Sequence, residues 1–216
     1  DEFRNIRASG LIAVTLRPED ELISVALTDG SRELLLGTKL GMSIRFHEDN
    51  IRLMGRTAMG VRSIDLDEGD GVVSMSVVDP ECQVLTISEN GYGKRTPVEE
   101  YRVQSRAGKG IKAMQLTDKT GPLAALMLVR EDEDVMMISD DGTIIRTAVS
   151  ELSTQSRSTQ GVRVMRLAGD SRVVAVTTAE KIEDSPEEEL PADPADAPEQ
   201  APDAGAQAGE DLNYQG

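Results

Sequence analysis

The 216-residue chain contains no tryptophan, a single cysteine, a single histidine and only 2% aromatic residues. Each scarcity excludes something. Cys82 alone cannot form an intrachain disulfide, which fits a reducing cytoplasm. His47 has no neighbouring cysteine or serine dyad to activate, so no nucleophile–base pair is available. The acidic runs at 65–70 and 131–134 lack the alternating ligands and closing glutamate of a calcium loop and read as solvated turns. No apolar run suits a signal peptide or a membrane span. The expectation is a chain with no catalytic residue, no metal and no cofactor of its own. With so few aromatic rings, its core must come from Val, Ile, Leu and Met, which suits thin β layers better than a deep pocket.

What the chain does have is a repeat. Glycine followed by an apolar and basic pair recurs as Gly60-Val61-Arg62, Gly110-Ile111-Lys112 and Gly161-Val162-Arg163, with a truncated copy at Gly10-Leu11-Ile12. A glycine followed four residues on by arginine recurs as Gly41 and Arg45, Gly91 and Arg95, Gly142 and Arg146. An apolar run recurs at 22–27, 72–77, 123–128 and 173–178. These landmarks agree on a step of 50 or 51 residues, the period of blades or solenoid turns, in which no single unit buries its own apolar face.

Each repeat reads as four short strands, which predicts an all-β, propeller-like fold. In the first full copy they fall near 22–27, 33–38, 41–46 and 60–66; in the second near 72–77, 83–88, 91–96 and 110–116; in the third near 123–128, 134–139, 142–147 and 161–167. Asn90-Gly91 and Asp141-Gly142 favour tight hairpin turns between the middle strands. In Met42-Ser43-Ile44-Arg45-Phe46 apolar and polar residues alternate, so Arg45 points away from the apolar face. The expected division is a remnant blade at 1–20, blades at 21–70 and 71–121, a last blade with a closing strand at 122–183, and an acidic tail at 184–216. The strands at 10–16 and 173–178 read as loose ends of incomplete units. Beginning without methionine and inside a repeat, the chain reads as a piece of a longer protein with more blades upstream.

The net charge of −16 conceals a segregation. Residues 180–216 hold twelve acids and one lysine, whereas 1–179 hold 27 acids and 22 bases, so the folded part is only mildly acidic. The Pro-, Ala- and Glu-rich tail cannot offset its ordering entropy by burial and reads as disordered, either a solubilising end or a competitor for basic surface. Within the repeat, 67–90 carries six acids and no base, while 91–119 carries seven bases and three acids. The same contrast holds between 120–141, with six acids and one base, and 142–172, with five bases and two acids. Stacked in register, Arg45, Arg95 and Arg146 should align, as should Arg56, Arg106 and Arg157, and Arg52 with Arg102. A recurring positive band points to a polyanion, with duplex DNA the regular one. Stacking on single strands is disfavoured by the shortage of rings, and nothing resembles a recognition helix, so backbone contact is expected. The competing reading is a protein-interaction propeller whose arginines pair with acids on neighbouring blades.

Longer motifs sharpen the choice. The stretch Gly91-Tyr92-Gly93-Lys94-Arg95-Thr96-Pro97-Val98-Glu99-Glu100-Tyr101-Arg102, the segment Gln104-Ser105-Arg106-Ala107-Gly108-Lys109-Gly110, Phe3-Arg4-Asn5-Ile6-Arg7 and Met54-Gly55-Arg56-Thr57-Ala58-Met59-Gly60-Val61 resemble the C-terminal domain of DNA gyrase A over 2–183. The resemblance implies a β-pinwheel whose blades share strands and whose basic outer rim wraps double-stranded DNA. It implies partners in the rest of gyrase A and in gyrase B, with ATP and Mg²⁺ used elsewhere in a bacterial, cytoplasmic topoisomerase. The related C-terminal domain of topoisomerase IV is the alternative. The family's seven-residue box, Gln-Arg-Arg-Gly-Gly-Lys-Gly, belongs to a first blade that this chain lacks; 104–110 matches it at Gln104, Arg106, Gly108, Lys109 and Gly110 but sits in a later blade. The expected DNA-contacting residues are Arg45, Arg52, Arg56, Arg62, Lys94, Arg95, Arg102, Arg106, Lys109, Lys112, Arg146, Arg157 and Arg163. The middle repeat, with Lys94 where its neighbours have Ile44 and Ile145, should contribute most.

Overall fold

Three β-hairpins, one per repeat, organise the described residues. The computed structural model describes Arg4, Ile6 and residues 8–181; the acidic-tail expectation at 184–216 lies outside the described residues. The first hairpin pairs β1 (Glu33–Thr38) with β2 (Met42–His47), the second β4 (Gln83–Ser88) with β5 (Tyr92–Pro97), the third β8 (Glu133–Ser139) with β9 (Ile144–Ala148). By these strand bounds the turns hold three, three and four residues rather than the two that Asn-Gly and Asp-Gly signal. Gly41, Gly91 and Gly142 take φ of +83°, +75° and +86°, the left-handed position that closes such a loop and that a side chain resists.

The remaining strands leave their own repeat. β3 (Val72–Val77) pairs with β1, β7 (Leu123–Val129) with β4, and β11 (Val173–Glu180) with β8, so each apolar run completes the hairpin before it. The two-residue strands β6 (Ile111–Lys112) and β10 (Val162–Arg163) pair on the far side with β2 and β5. The sheets are therefore β3-β1-β2-β6, β10-β5-β4-β7 and β11-β8-β9. They cut across the sequence period, and the fold is the all-β, strand-sharing pinwheel that the motifs imply.

This exchange explains the Gly-apolar-basic landmark. A Cβ on Gly110 would lie 2.3 Å from the Ser43 carbonyl oxygen, and one on Gly161 2.5 Å from that of Gly93, so each glycine lets its strand press against the preceding hairpin. It also corrects three expectations. No strand forms at 10–16, 22–27 or 60–66, although their repeat counterparts are strands. Strands of these types pair with an earlier hairpin, and among the described residues none precedes them. Ile12, Val25 and Leu27 are accordingly 75%, 78% and 97% exposed. The expected strands at 110–116 and 161–167 shorten to two residues. Elsewhere the apolar residues gather in three clusters, around Phe46, Tyr101 and Met137.

Candidate nucleic-acid interface

In the first two hairpins the arginine that follows the glycine turns inward, whereas Arg146 in the third remains exposed. On β2, Arg45 donates through Nε to Glu33 Oε2 at 2.7 Å, and through Nη1 to the carbonyls of Val98 and Tyr101 at 2.9 and 3.1 Å. On β5, Arg95 is 6% exposed; Nε donates to Leu152 O at 2.8 Å, Nη2 to Ser150 O at 3.3 Å, and Nη1 lies 3.5 Å from Glu131. Each guanidinium thus reaches the short 3-10 turn of the following repeat, at Val98–Glu100 or Val149–Glu151. On β9, Arg146 pairs with Asp134 at 2.7 Å and donates to the Glu180 carbonyl. Lys94 is fully buried, with Nζ donating to the carbonyls of Ser156 and Arg157 at 2.6 and 2.5 Å. Burial pulls its ammonium down to about 8, against a smaller opposing effect of Glu100 and with a slight further push from Arg157. Arg45, Lys94 and Arg95 therefore do not occupy the outer band expected of them. A buried cation must find partners, and backbone carbonyls of the next repeat supply them.

The second trio makes one bond three times. Arg56, Arg106 and Arg157 each donate Nη1 to the carbonyl of a residue one repeat back, respectively Ile12, Arg62 and Lys112. Arg106 adds Nε to Asn50 O at 2.8 Å. These side chains are half-buried staples between successive repeats. Two of the carbonyls they hold belong to Arg62 and Lys112, residues whose side chains are exposed.

The remaining expected cations face solvent. Arg62, Lys112 and Arg163 occupy the same place in successive repeats, two residues after Gly60, Gly110 and Gly161, and all three are exposed. Their surroundings differ. Arg62 lies 3.4 Å from Asp65, Lys112 donates to the neutral Gln115 at 2.7 Å, and Arg163 donates to the Tyr92 hydroxyl at 2.9 Å. Lys109 sits between Asp67 at 2.7 Å and Asp65 at 3.1 Å, which hold its ammonium above the usual lysine range, Asp67 most strongly. Arg52 and Arg102 are exposed. Among the further exposed cations that spacing did not single out are Lys119 and Arg166. Neither follows a repeat position that carries a base: Arg166 corresponds to Asp65 and Gln115, and Lys119 to Gly69 and Asp170.

Among the described residues no group of His, Cys, Asp or Glu is placed to hold a metal ion. His47 instead caps the 3-10 turn Glu48–Asn50, its Nδ1 accepting from the Asp49 amide at 3.2 Å. No described helix is long and apolar enough to cross a membrane.

A family model described as the DNA gyrase C-terminal domain, beta-propeller, matches residues 1–29, 32–79, 83–130 and 133–180. Each of the last three stretches runs from a hairpin to the strand that completes it. The chain is 59% identical over 187 residues to DNA gyrase A of Halalkalibacterium halodurans, covering 87% of this chain and 22% of that protein. It is 39% identical over 190 residues to DNA gyrase A of Pseudomonas aeruginosa, covering 88% and 21%. The chain thus spans about a fifth of the length of these curated relatives. Among solved structures, a DNA gyrase A C-terminal domain superposes with a TM-score of 0.73 at 26% identity, over 79% of this chain and 58% of that one. The C-terminal domain of a DNA topoisomerase IV superposes with 0.78 at 24% identity, over 83% and 56%, a likeness of fold.

Proposed function

This chain belongs to the DNA gyrase C-terminal domain family, and from that premise we propose that it binds the backbone of duplex DNA along an outer band and wraps it. The observation that supports the reading most is the recurring exposed base of Arg62, Lys112 and Arg163, two of whose carbonyls are pinned by the staples Arg106 and Arg157. A repeated cation at a fixed step suits a regular polyanion, and each phosphate contact releases counterions. Specificity then rests on DNA shape and bending, since among the described residues no element is built to enter a groove and read base edges.

In the whole enzyme, wrapping by such a domain would give the DNA crossing the handedness that ATP-dependent negative supercoiling requires. Catalysis, ATP and Mg²⁺ would belong to the rest of gyrase A and to gyrase B, in a bacterial cytoplasm. The 59% identity to a gyrase A protein favours gyrase over topoisomerase IV. The middle repeat carries less of the band than its composition implies, because Lys94 and Arg95 are interior and Lys109 is matched by two acids.

A gel-shift titration on relaxed duplex at rising salt tests the proposal. Replacing Arg62, Lys112 and Arg163 together by Gln should reduce the slope of log affinity against log salt by about 2–3, with the circular dichroism spectrum unchanged. An unchanged slope would favour the protein-interaction propeller instead.

A further inference from the structure

Tyr92 carries two cations. Lys119 Nζ lies 5.2 Å and Arg163 Cζ 5.3 Å from the centroid of its ring, both within cation–π range. Tyr92 itself is 6% exposed, whereas Lys119 and Arg163 face solvent. Three separate segments meet there. Tyr92 opens β5 and stands directly opposite Arg163 on β10. Lys119 lies in the turn before β7, held by Asn90, whose Nδ2 donates to the carbonyls of Asp118 and Lys119 at 3.3 and 3.1 Å.

Bringing two like charges together over one ring is unfavourable unless an anion joins them. Several exposed cations elsewhere take acids, as in Arg62 with Asp65, Lys109 with Asp67, and Arg130 with Asp79. Among the described residues, neither Lys119 nor Arg163 has a carboxylate at ion-pair distance. The Tyr92 hydroxyl registers the same field: the Arg163 hydrogen bond, with a smaller contribution from Lys119, holds it below the usual tyrosine range. Lys119 and Arg163 line a cleft of about 500 Å³ shared with Asn90, Arg172, Glu89 and Asp170. Of its two acids, Glu89 already faces Arg172 at 3.7 Å.

The first sheet provides an internal control. There the register places Met42 opposite Lys112, where the second sheet has Tyr92 opposite Arg163. The turn one repeat before Lys119 reads Asp67-Glu68-Gly69-Asp70. Topology alone therefore does not create the double-cation arrangement; these particular side chains do.

We propose that the cleft is a phosphate seat in which Lys119 and Arg163 together grip one phosphodiester of duplex DNA, with Tyr92 as the positioning residue that aims both. The inference rests on the DNA-binding reading above and adds to it one fixed contact within an otherwise distributed band.

The test uses the full chain with relaxed duplex, and separately with inorganic phosphate. Lys119→Gln and Arg163→Gln should each reduce the salt slope by about 0.9, whereas Arg130→Gln, whose cation is already matched by Asp79, should leave it unchanged. Tyr92→Leu should reduce the slope although it removes no charge. Tyr92 ionisation can be followed by NMR of [ζ-¹³C]tyrosine in a Tyr214→Phe background, because burial pushes the Tyr101 hydroxyl well above the usual range and out of the window. Duplex DNA should raise the Tyr92 midpoint, since a seated phosphate opposes the two cations. If the parent chain fails to bind DNA in a salt-dependent way, the functional reading itself falls. If it binds, but the single-residue slopes and the Tyr92 midpoint stay put, only the phosphate seat falls. A midpoint that responds to inorganic phosphate and not to duplex would overturn DNA as the occupant.

Discussion

The first and second sheets share one topology and one register yet are held together by different chemistry. In the first, Arg45 has an acid on its own hairpin, Glu33, and Phe46 is fully buried beside it. In the second, position 83 is Gln, Arg95 turns to carbonyls of the next repeat, and Lys94 and Thr96 stand where the first sheet has Ile44 and Phe46. Thr96 Oγ1 donates to Gln155 O at 2.9 Å. The first sheet thus relies more on apolar burial, the second on side chain-to-backbone bonds that cross between repeats. The comparison teaches that the period preserves strand exchange while leaving the adhesive free to vary.

The largest expected effect strikes the apolar side of this contrast. Phe46→Ala should cost about 3–5 kcal/mol in urea unfolding, while Thr96→Ala at the matching position should cost only about 1 kcal/mol. Equal losses would mean that the two sheets are held alike after all. Next in size, Arg95→Met leaves the carbonyls of Leu152 and Ser150 without their donor in a buried setting, a loss of about 2–3 kcal/mol. Arg45→Met should destabilise less, because its side chain is 14% exposed against 7% for Arg95 and its partner Glu33 retains access to water at 27%.

The most specific effect concerns pH. Lys94 is held at about 8 when folded, below the ordinary lysine value, so between about 8 and 10.5 the unfolded chain binds the extra proton. Stability contributed by this site should therefore rise with pH across that window and be lowest below it, where both states are protonated. Lys94→Ile, which copies the first sheet, should flatten that rise; a rise that persists would assign it to another group.

Much of the architecture was legible from the residues. The hairpins fell where alternation and glycine placed them, because a period of two and a left-handed turn position are local properties. The Gly-apolar-basic landmark was visible as well, although its cause, contact with a hairpin some 67 residues away, was not. Strands expected at 22–27 and 60–66 failed for the complementary reason: their propensity was adequate, but a strand also needs an edge to pair with. Of the candidate interface, Arg62, Lys112 and Arg163 were readable as a repeated exposed base. Lys119 was not, since its relation to Tyr92 joins segments with no common place in the repeat.

The sequence by itself determined the period, the β class, the hairpin positions and the family. Only the tertiary structure decided which arginines meet water and which meet protein. Alternation along a strand tells that Arg45 and Arg95 leave the apolar face, but not what covers the other one. That face is roofed by backbone from 53 to 57 residues further along, and a guanidinium with its donors filled by carbonyls has little left to offer a phosphate.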